Sequence, residues 1–385
     1  MQKSDFRIII LAYGTESLHH SRDLTTTAGR AANTIMNSQN QYGSLKHLYT
    51  LDILRGLASL AVVLWHYESF FFVAPGELTS NFVRSSLPMY FLFWPFYERG
   101  PLAVALFFVL SGFVFYFVYC DSVRAGRVSA YKFVVLRFSR LYPLYFVTLI
   151  FVAVMQIAAY HATGNFIIYP YNDLYHFVLN LFFAQNWGFE RGWSFNSPTW
   201  SVSIEVVLYA AFFVLASAVG RSLATALTTA LAGLFLASQA HGSLADVGQG
   251  FYCFFAGGSS FIIWDRLRLR SRWLTLSASF AALAISAMGY RVLHYTRFSD
   301  SMVPKEILFG GCFPAAVLVL ASLQNMRHNL GRSCRIIGDI TYSTYLLHFP
   351  LQLLIIYVSS TFGFSIPYQS PFVLILFLAT LVDRI

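Results

Sequence analysis

The strongest constraint on this chain is the recurrence of apolar runs of membrane-crossing length. They lie near 53–73, 101–119, 142–160, 199–219, 223–240, 248–264, 273–290, 307–323, 341–358 and 371–385. A helix needs about 20 mostly apolar residues to cross the hydrocarbon core. Only 11% of the residues are charged and 57% are hydrophobic, with a mean hydropathy of +0.59. Soluble domains carry about a quarter charged residues. The fold class expected is an all-α integral membrane protein, a bundle of about ten transmembrane helices. Shorter apolar stretches near 87–97 and 176–187 read as interfacial or re-entrant segments.

The basic residues orient this bundle. With both termini in the cytoplasm, 19 Lys and Arg fall in cytoplasmic segments and 6 in outer ones, and Arg55 lies within the first span. That bias is the one the positive-inside rule requires. The same placement, in short loops between apolar runs, argues against nucleic acid as the reason for the +9 charge. Residues 1–48 form a polar extension, expected to be disordered, before a membrane domain over 49–385. Met36 offers a second candidate start, and no cleavable leader is expected. Cys120, Cys253, Cys312 and Cys334 have no metal-ligand or disulfide spacing, so they read as packing residues and no metal is expected. No internal repeat or matched pair of broken helices appears, which weakens a transporter reading.

The first span carries polar residues. On a helix turning ~100° per residue, Asp52, Ser59 and His66 all lie within about 60° of Arg55. A charge at mid-membrane costs roughly 2.5–3.5 kcal/mol. Such residues face the bundle interior and mark function. An Asp52–Arg55 ion pair with a packing histidine would account for the same residues, but four polar groups on one face favour a site.

Five segments resemble, in order, the signatures of the acyltransferase-3 family of membrane O-acyltransferases. They are Arg55 and His66 at their spacing, Phe107–Phe113 (FFVLSGF), Arg137–Pro143 (RFSRLYP), Trp200–Glu205 (WSVSIE) and Tyr345–Pro350 (YLLHFP). The resemblance implies transfer of an acyl group, commonly acetyl, from cytosolic acyl-coenzyme A. The acceptor would be a hydroxyl of an extracytoplasmic glycan or small molecule. It further implies a multi-pass protein of a bacterial inner (plasma) membrane, with the lipid bilayer, acyl-CoA and the acceptor as partners and a homo-oligomer as a compatible assembly. The chain ends where relatives continue with a Glu-x-Pro-like segment, and it carries no SGNH-type domain, which favours a one-component transferase. The competing function is a polytopic transporter or flippase for a glycan or small polar substrate.

Roles follow from chemistry. An alcohol attacking a thioester must lose a proton, and histidine suits that task, so His66 is the expected general base. Glu205 is expected to orient or polarise it, as a carboxylate does in hydrolytic triads. Arg137 and Arg140, three residues apart, offer planar forks for the donor's phosphates. Arg55 is expected either to meet the donor or to neutralise Asp52. Ser111, beside Gly112, has no base near it in sequence, and Gly112 reads as a close helix contact. Asp52, Ser111, Trp200, Tyr209 and His348 are placed along the substrate path. His348 shares a face with Thr341, Tyr345 and Gln352. His161, His176, His241 and His294 carry no pattern.

Overall fold

A computed structural model describes residues 47–295 and 303–383. The expected disorder of residues 1–48 therefore lies, but for its last two residues, outside the described residues. Each of the ten apolar runs coincides with a helix. The chain opens with α1 (Tyr49–Trp65), a 3-10 turn (His66–Phe71) and a small hairpin, β1 (Phe72–Ala74) with β2 (Glu77–Leu78). Next come α2 (Tyr90–Arg99), α3 (Leu102–Val118), the short α4 (Cys120–Arg124) and the 34-residue α5 (Ala130–Thr163). The short α6 (Leu174–Leu181) precedes α7 (Trp200–Val219), α8 (Leu223–Gln239), α9 (Ser243–Arg268) and α10 (Arg272–His294). A π turn (Leu308–Cys312) joins α11 (Val303–Ile307) to α12 (Phe313–Met326), followed by α13 (Arg335–Phe362) and α14 (Pro371–Asp383).

Five helical segments are long and apolar enough to cross a membrane, or six when α2 and α3, bent by 67°, are taken as one broken span. The chain is thus a helical membrane protein. A count of ten crossings does not follow from these lengths, because α1 and α8 have 17 residues each and α14 has 13. Two expectations are refined. The regular helix of the first span ends at Trp65, so His66 begins the 3-10 turn instead of sitting within the helix. The stretch near 176–187 contributes only the eight-residue α6, far short of a span.

Local signals explain where helices begin and end. Ser129, Ser222 and Ser271 cap α5, α8 and α10, accepting backbone N–H bonds at 3.2–3.3 Å, which satisfies donors that a helix start leaves open. Gly164 and Gly363 close α5 and α13 with φ of +74° and +69°, a conformation that suits glycine.

Two packing contacts set the frame. In the first, α3 and α9 meet backbone to backbone. A Cβ on Gly112 would fall 1.8 Å from the Phe254 carbonyl oxygen, and one on Gly257 would fall 2.0 Å from that of Val109. Small residues let membrane helices approach this closely, so Gly112 has the packing role read from the sequence. In the second, α1 packs on α13 through its polar face. Asp52 lies against Gly338, Gly56 against Ile337, and Ser59 Oγ donates to the Thr341 carbonyl at 3.3 Å. At one end of the bundle Arg221 ties Asp121 to Asp265, Arg268 also bonds Asp265, and Arg124 donates to the carbonyls of Ser217 and Ala218 at the end of α7. The four cysteines are free thiols, three of them buried.

Gly112→Val places a branched side chain inside the α3–α9 contact. Overpacking of this kind costs about 1–3 kcal/mol, so the variant should melt well below the wild type in lipid nanodiscs. Gly289→Ala, whose new Cβ meets nothing within 4 Å, should melt like the wild type.

Candidate active site

Polar residues gather at two places along the α1–α13 pair. The first surrounds Glu205 on α7. Its Oε1 accepts a bond from Ser111 Oγ on α3 at 3.2 Å and a second from the Tyr209 hydroxyl one turn along α7. Arg55, on α1, is paired with Asp52 at 3.1 Å and lies within electrostatic range of Glu205, Tyr209 and Arg140. Tyr342 of α13 feels the charges of Glu205 and Arg140 and donates to the Leu141 carbonyl at 2.7 Å. Arg137 donates to the Tyr119 hydroxyl and lies over the rings of Tyr119 (4.7 Å), Phe115 (5.2 Å) and Tyr209 (6.0 Å). Its Nε is buried with no hydrogen-bond partner.

Four separate helices thus bring Arg55, Ser111, Arg137, Arg140, Glu205 and Tyr209 into one neighbourhood. Sequence spacing placed Ser111 away from any base. The fold supplies one, because Gly112 packs on α9 and turns the adjacent Ser111 towards α7. Trp200, at the start of α7, is half-buried and tilts towards Trp193 with centroids 6.5 Å apart. Ser201, one turn before Glu205, bonds the Tyr345 hydroxyl at 2.7 Å, and that hydroxyl also reaches the Pro198 carbonyl.

The second place is the far end of α1. Eleven residues at ~1.5 Å each put His66 about 16 Å from Arg55 along the axis. His66 Nδ1 lies 2.9 Å from the Val62 carbonyl. A carbonyl oxygen can only accept, so Nδ1 carries the hydrogen and Nε2 presents its lone pair. His348, fully buried on α13, has the same arrangement, with Nδ1 2.6 Å from the Tyr345 carbonyl. Its Nε2 is buried with no hydrogen-bond partner. The two imidazole rings are 5.1 Å apart. Gln352, one turn beyond, donates to the His66 carbonyl at 2.8 Å. Its Oε1 is also buried and unpartnered.

The expected contact between Glu205 and His66 is therefore not formed. Glu205 bonds Ser111 and Tyr209, and His66 is held by Val62, His348 and Gln352. Their distance apart in the chain carries no information about contact, so only the fold separates them.

A buried polar segment closes the bundle beside α13. Asn196 donates to the Leu346 carbonyl at 3.2 Å, Gln185 to the Thr199 carbonyl at 3.2 Å, and Asn172 accepts from Phe195 N–H at 2.6 Å. His176, which carries no pattern in the sequence, proves fully buried. Its Nδ1 meets Asp173 at 2.7 Å and its Nε2 accepts from Arg191 N–H at 3.1 Å, so it pins this segment to α6. The sequence signal available was the density of Asn, Gln, Ser and Thr over 172–199. No group of three or more metal-ligating side chains occurs among the described residues.

Ser111 and Tyr209 converge on one carboxylate oxygen, so their loss should be non-additive. Ser111→Ala, Tyr209→Phe and the double variant should show a coupling of roughly 0.5–3 kcal/mol in unfolding free energy. Additive effects would mean that the two hydroxyls do not share Glu205.

Over residues 48–382 the chain matches the family model described as "Acyltransferase domain", that of the acyltransferase-3 family. A relative from Rhizobium radiobacter, "Protein 2 in picA locus", is 36% identical over 110 residues, which is 29% of this chain and 46% of that protein. The match thus spans about half the length of that relative. No solved structure matches the chain. With almost the whole described bundle inside the family match, the chain belongs to the acyltransferase-3 family.

Proposed function

We propose that this protein moves an acyl group, acetyl in the simplest case, from cytosolic acyl-CoA to a hydroxyl of an extracytoplasmic glycan or small molecule. The observation that carries this reading is the division of polar residues along α1. Arginines, a carboxylate and hydroxyls gather at one end, and a histidine with a free basic nitrogen stands at the other. An anionic donor fits the first end, and an alcohol that must lose a proton fits the second. The ten apolar helices are taken as ten crossings of a bacterial inner membrane, with both termini in the cytoplasm. The basic loop at 124–140 then lies on the donor side and His66 towards the outer face.

In the proposed step the acceptor oxygen attacks the thioester carbonyl. Its hydroxyl proton passes to His66 Nε2, the new C–O bond forms, and the C–S bond breaks with the electron pair leaving on sulfur. The proton is then available to the coenzyme thiolate, so the reaction balances with ester and free thiol as products. Arg137 and Arg140 hold the donor's phosphates. Arg55, restrained by Asp52, keeps positive charge beside the donor inside the bundle.

Supplied with a hydroxyl acceptor, purified protein should release coenzyme thiol from acetyl-CoA, and His66→Ala should lower that rate by about 10²–10⁴, the usual worth of a general base. An undiminished rate in the variant would remove His66 from the mechanism. Flux of a glycan across vesicles without any acyl transfer would support transport instead. Arg137→Ala combined with Arg140→Ala should weaken acyl-CoA binding at least tenfold in a protein that still elutes as a folded species. Unchanged affinity would leave these arginines as topological anchors.

A further inference from the structure

His66 and His348 meet where α1 ends on α13, with ring centroids 5.1 Å apart. Each ring is tied back to its own segment. Nδ1 of His66 donates to the Val62 carbonyl at 2.9 Å, and Nδ1 of His348 to the Tyr345 carbonyl at 2.6 Å. The two nitrogens of an imidazole point to opposite sides of the ring. Both Nε2 lone pairs are therefore directed away from those backbones, into the space between the two segments. The Gln352 side chain reaches the same place, since its Nε2 donates to the His66 carbonyl at 2.8 Å. His348 Nε2 and Gln352 Oε1 are both buried and have no hydrogen-bond partner. Both can only accept. A buried acceptor without a donor costs free energy, so two of them beside one ring call for a donor that arises during function.

A base that takes a proton becomes a cation. In a hydrolytic triad a carboxylate answers that charge. Here Glu205 is engaged by Ser111 and Tyr209, and Glu68, two residues beyond His66, is bound by Arg84. The chain neighbours Leu64, Tyr67, Leu347 and Leu351 belong to one apolar cluster. In such surroundings fixed dipoles act strongly on a new charge. We propose that His348 and Gln352 are positioning residues for the base, whose Nε2 and Oε1 lone pairs stabilise the imidazolium form of His66 in place of a carboxylate. The inference rests on the reading of His66 as the base. The proton involved is the one given up by the acceptor hydroxyl, and it goes on to the coenzyme thiolate, so no further reactant is needed.

The test uses the full chain in phosphatidylcholine nanodiscs, with acetyl-CoA as donor, methyl glucoside as hydroxyl acceptor and thiol release as the signal. His348→Leu should lower kcat about 10–100-fold, the worth of a hydrogen bond to a charged group, with KM for both substrates little changed. His348→Gln again places an acceptor oxygen at this position, so it should recover much of the loss, and it guards against a folding defect in the leucine variant. In a His66→Ala background, His348→Leu should change the residual rate by less than about twofold, because the ring it acts through is gone. Three results would overturn the proposal. The first is wild-type kcat in His348→Leu. The second is no recovery in a His348→Gln protein that melts like the wild type. The third is an equal fold loss with and without His66, as expected if His348 only packs or contacts substrate itself. No turnover by the wild type, or turnover indifferent to His66→Ala, would overturn the reading of His66. A rate that needs His66 but ignores His348 would overturn only this inference.

Discussion

The α1–α13 contact is where the chain meets the cost of carrying polar groups into a membrane. In hydrocarbon such groups must be satisfied by protein. Along α1, Asp52 pairs with Arg55 and rests on Gly338, Ser59 bonds the Thr341 carbonyl, and the backbone after the helix is held by Gln352. The partners on α13, Gly338, Thr341, His348 and Gln352, are three, seven and four residues apart, so they lie on one helical face. Slipping α13 by one residue would rotate that face by ~100° and break the bonds of Ser59 and of the His66 carbonyl to it, leaving only the Asp52–Arg55 pair, which lies within α1. The pairing therefore fixes register, and register fixes where Arg55 and His66 stand relative to the rest of the bundle.

A second constraint comes from glycine. The Gly112–Phe254 and Gly257–Val109 contacts bring α3 and α9 to backbone distance. Because Gly112 must face α9, its neighbour Ser111 is turned by ~100° towards α7, where Glu205 waits. Tyr209 reaches the same oxygen from one turn away, and Phe115 stacks on its ring at 4.4 Å. Arg137 adds its guanidinium to that aromatic group. The polar cluster around Glu205 is thus a by-product of tight helix packing as much as of its own hydrogen bonds.

Much of this was legible in the sequence, for identifiable reasons. Lipid demands long apolar runs, so every main helix overlaps one, but α5 begins at Ala130, twelve residues before its run, and α1 ends at Trp65, eight before the end of its run. The polar stripe on α1 could be read because helical periodicity is a local property. The stretch near 87–97 reads from the sequence as interfacial or re-entrant, and it forms α2, bent by 67° from α3. What escaped was long-range pairing. Ser111 and Glu205 are 94 positions apart, and His66 and Gln352 are 286 apart. No periodicity joins them. The buried role of His176 escaped for a related reason: its partners, Asp173 and the Arg191 backbone, belong to an irregular segment whose course no repeat pattern encodes.

The distance between the two polar clusters limits the chemistry that can join them. Reacting atoms must approach to about 3–3.5 Å, yet Arg55 and His66 are separated by about 16 Å of helix. A compact donor bound at the arginines could not present its reactive carbon to His66. A donor with an anionic head and an extended flexible arm could, and acyl-CoA has that form. The same argument explains why Glu205 need not touch His66. A carboxylate beside the imidazole would form a triad for a substrate that arrives whole from one side. A carboxylate held apart, with Ser111 and Tyr209 on it, leaves the His66 ring on the Val62 carbonyl instead. There the Nε2 atoms of His66 and His348 present lone pairs, and in the proposed step that of His66 takes the proton of the acceptor hydroxyl.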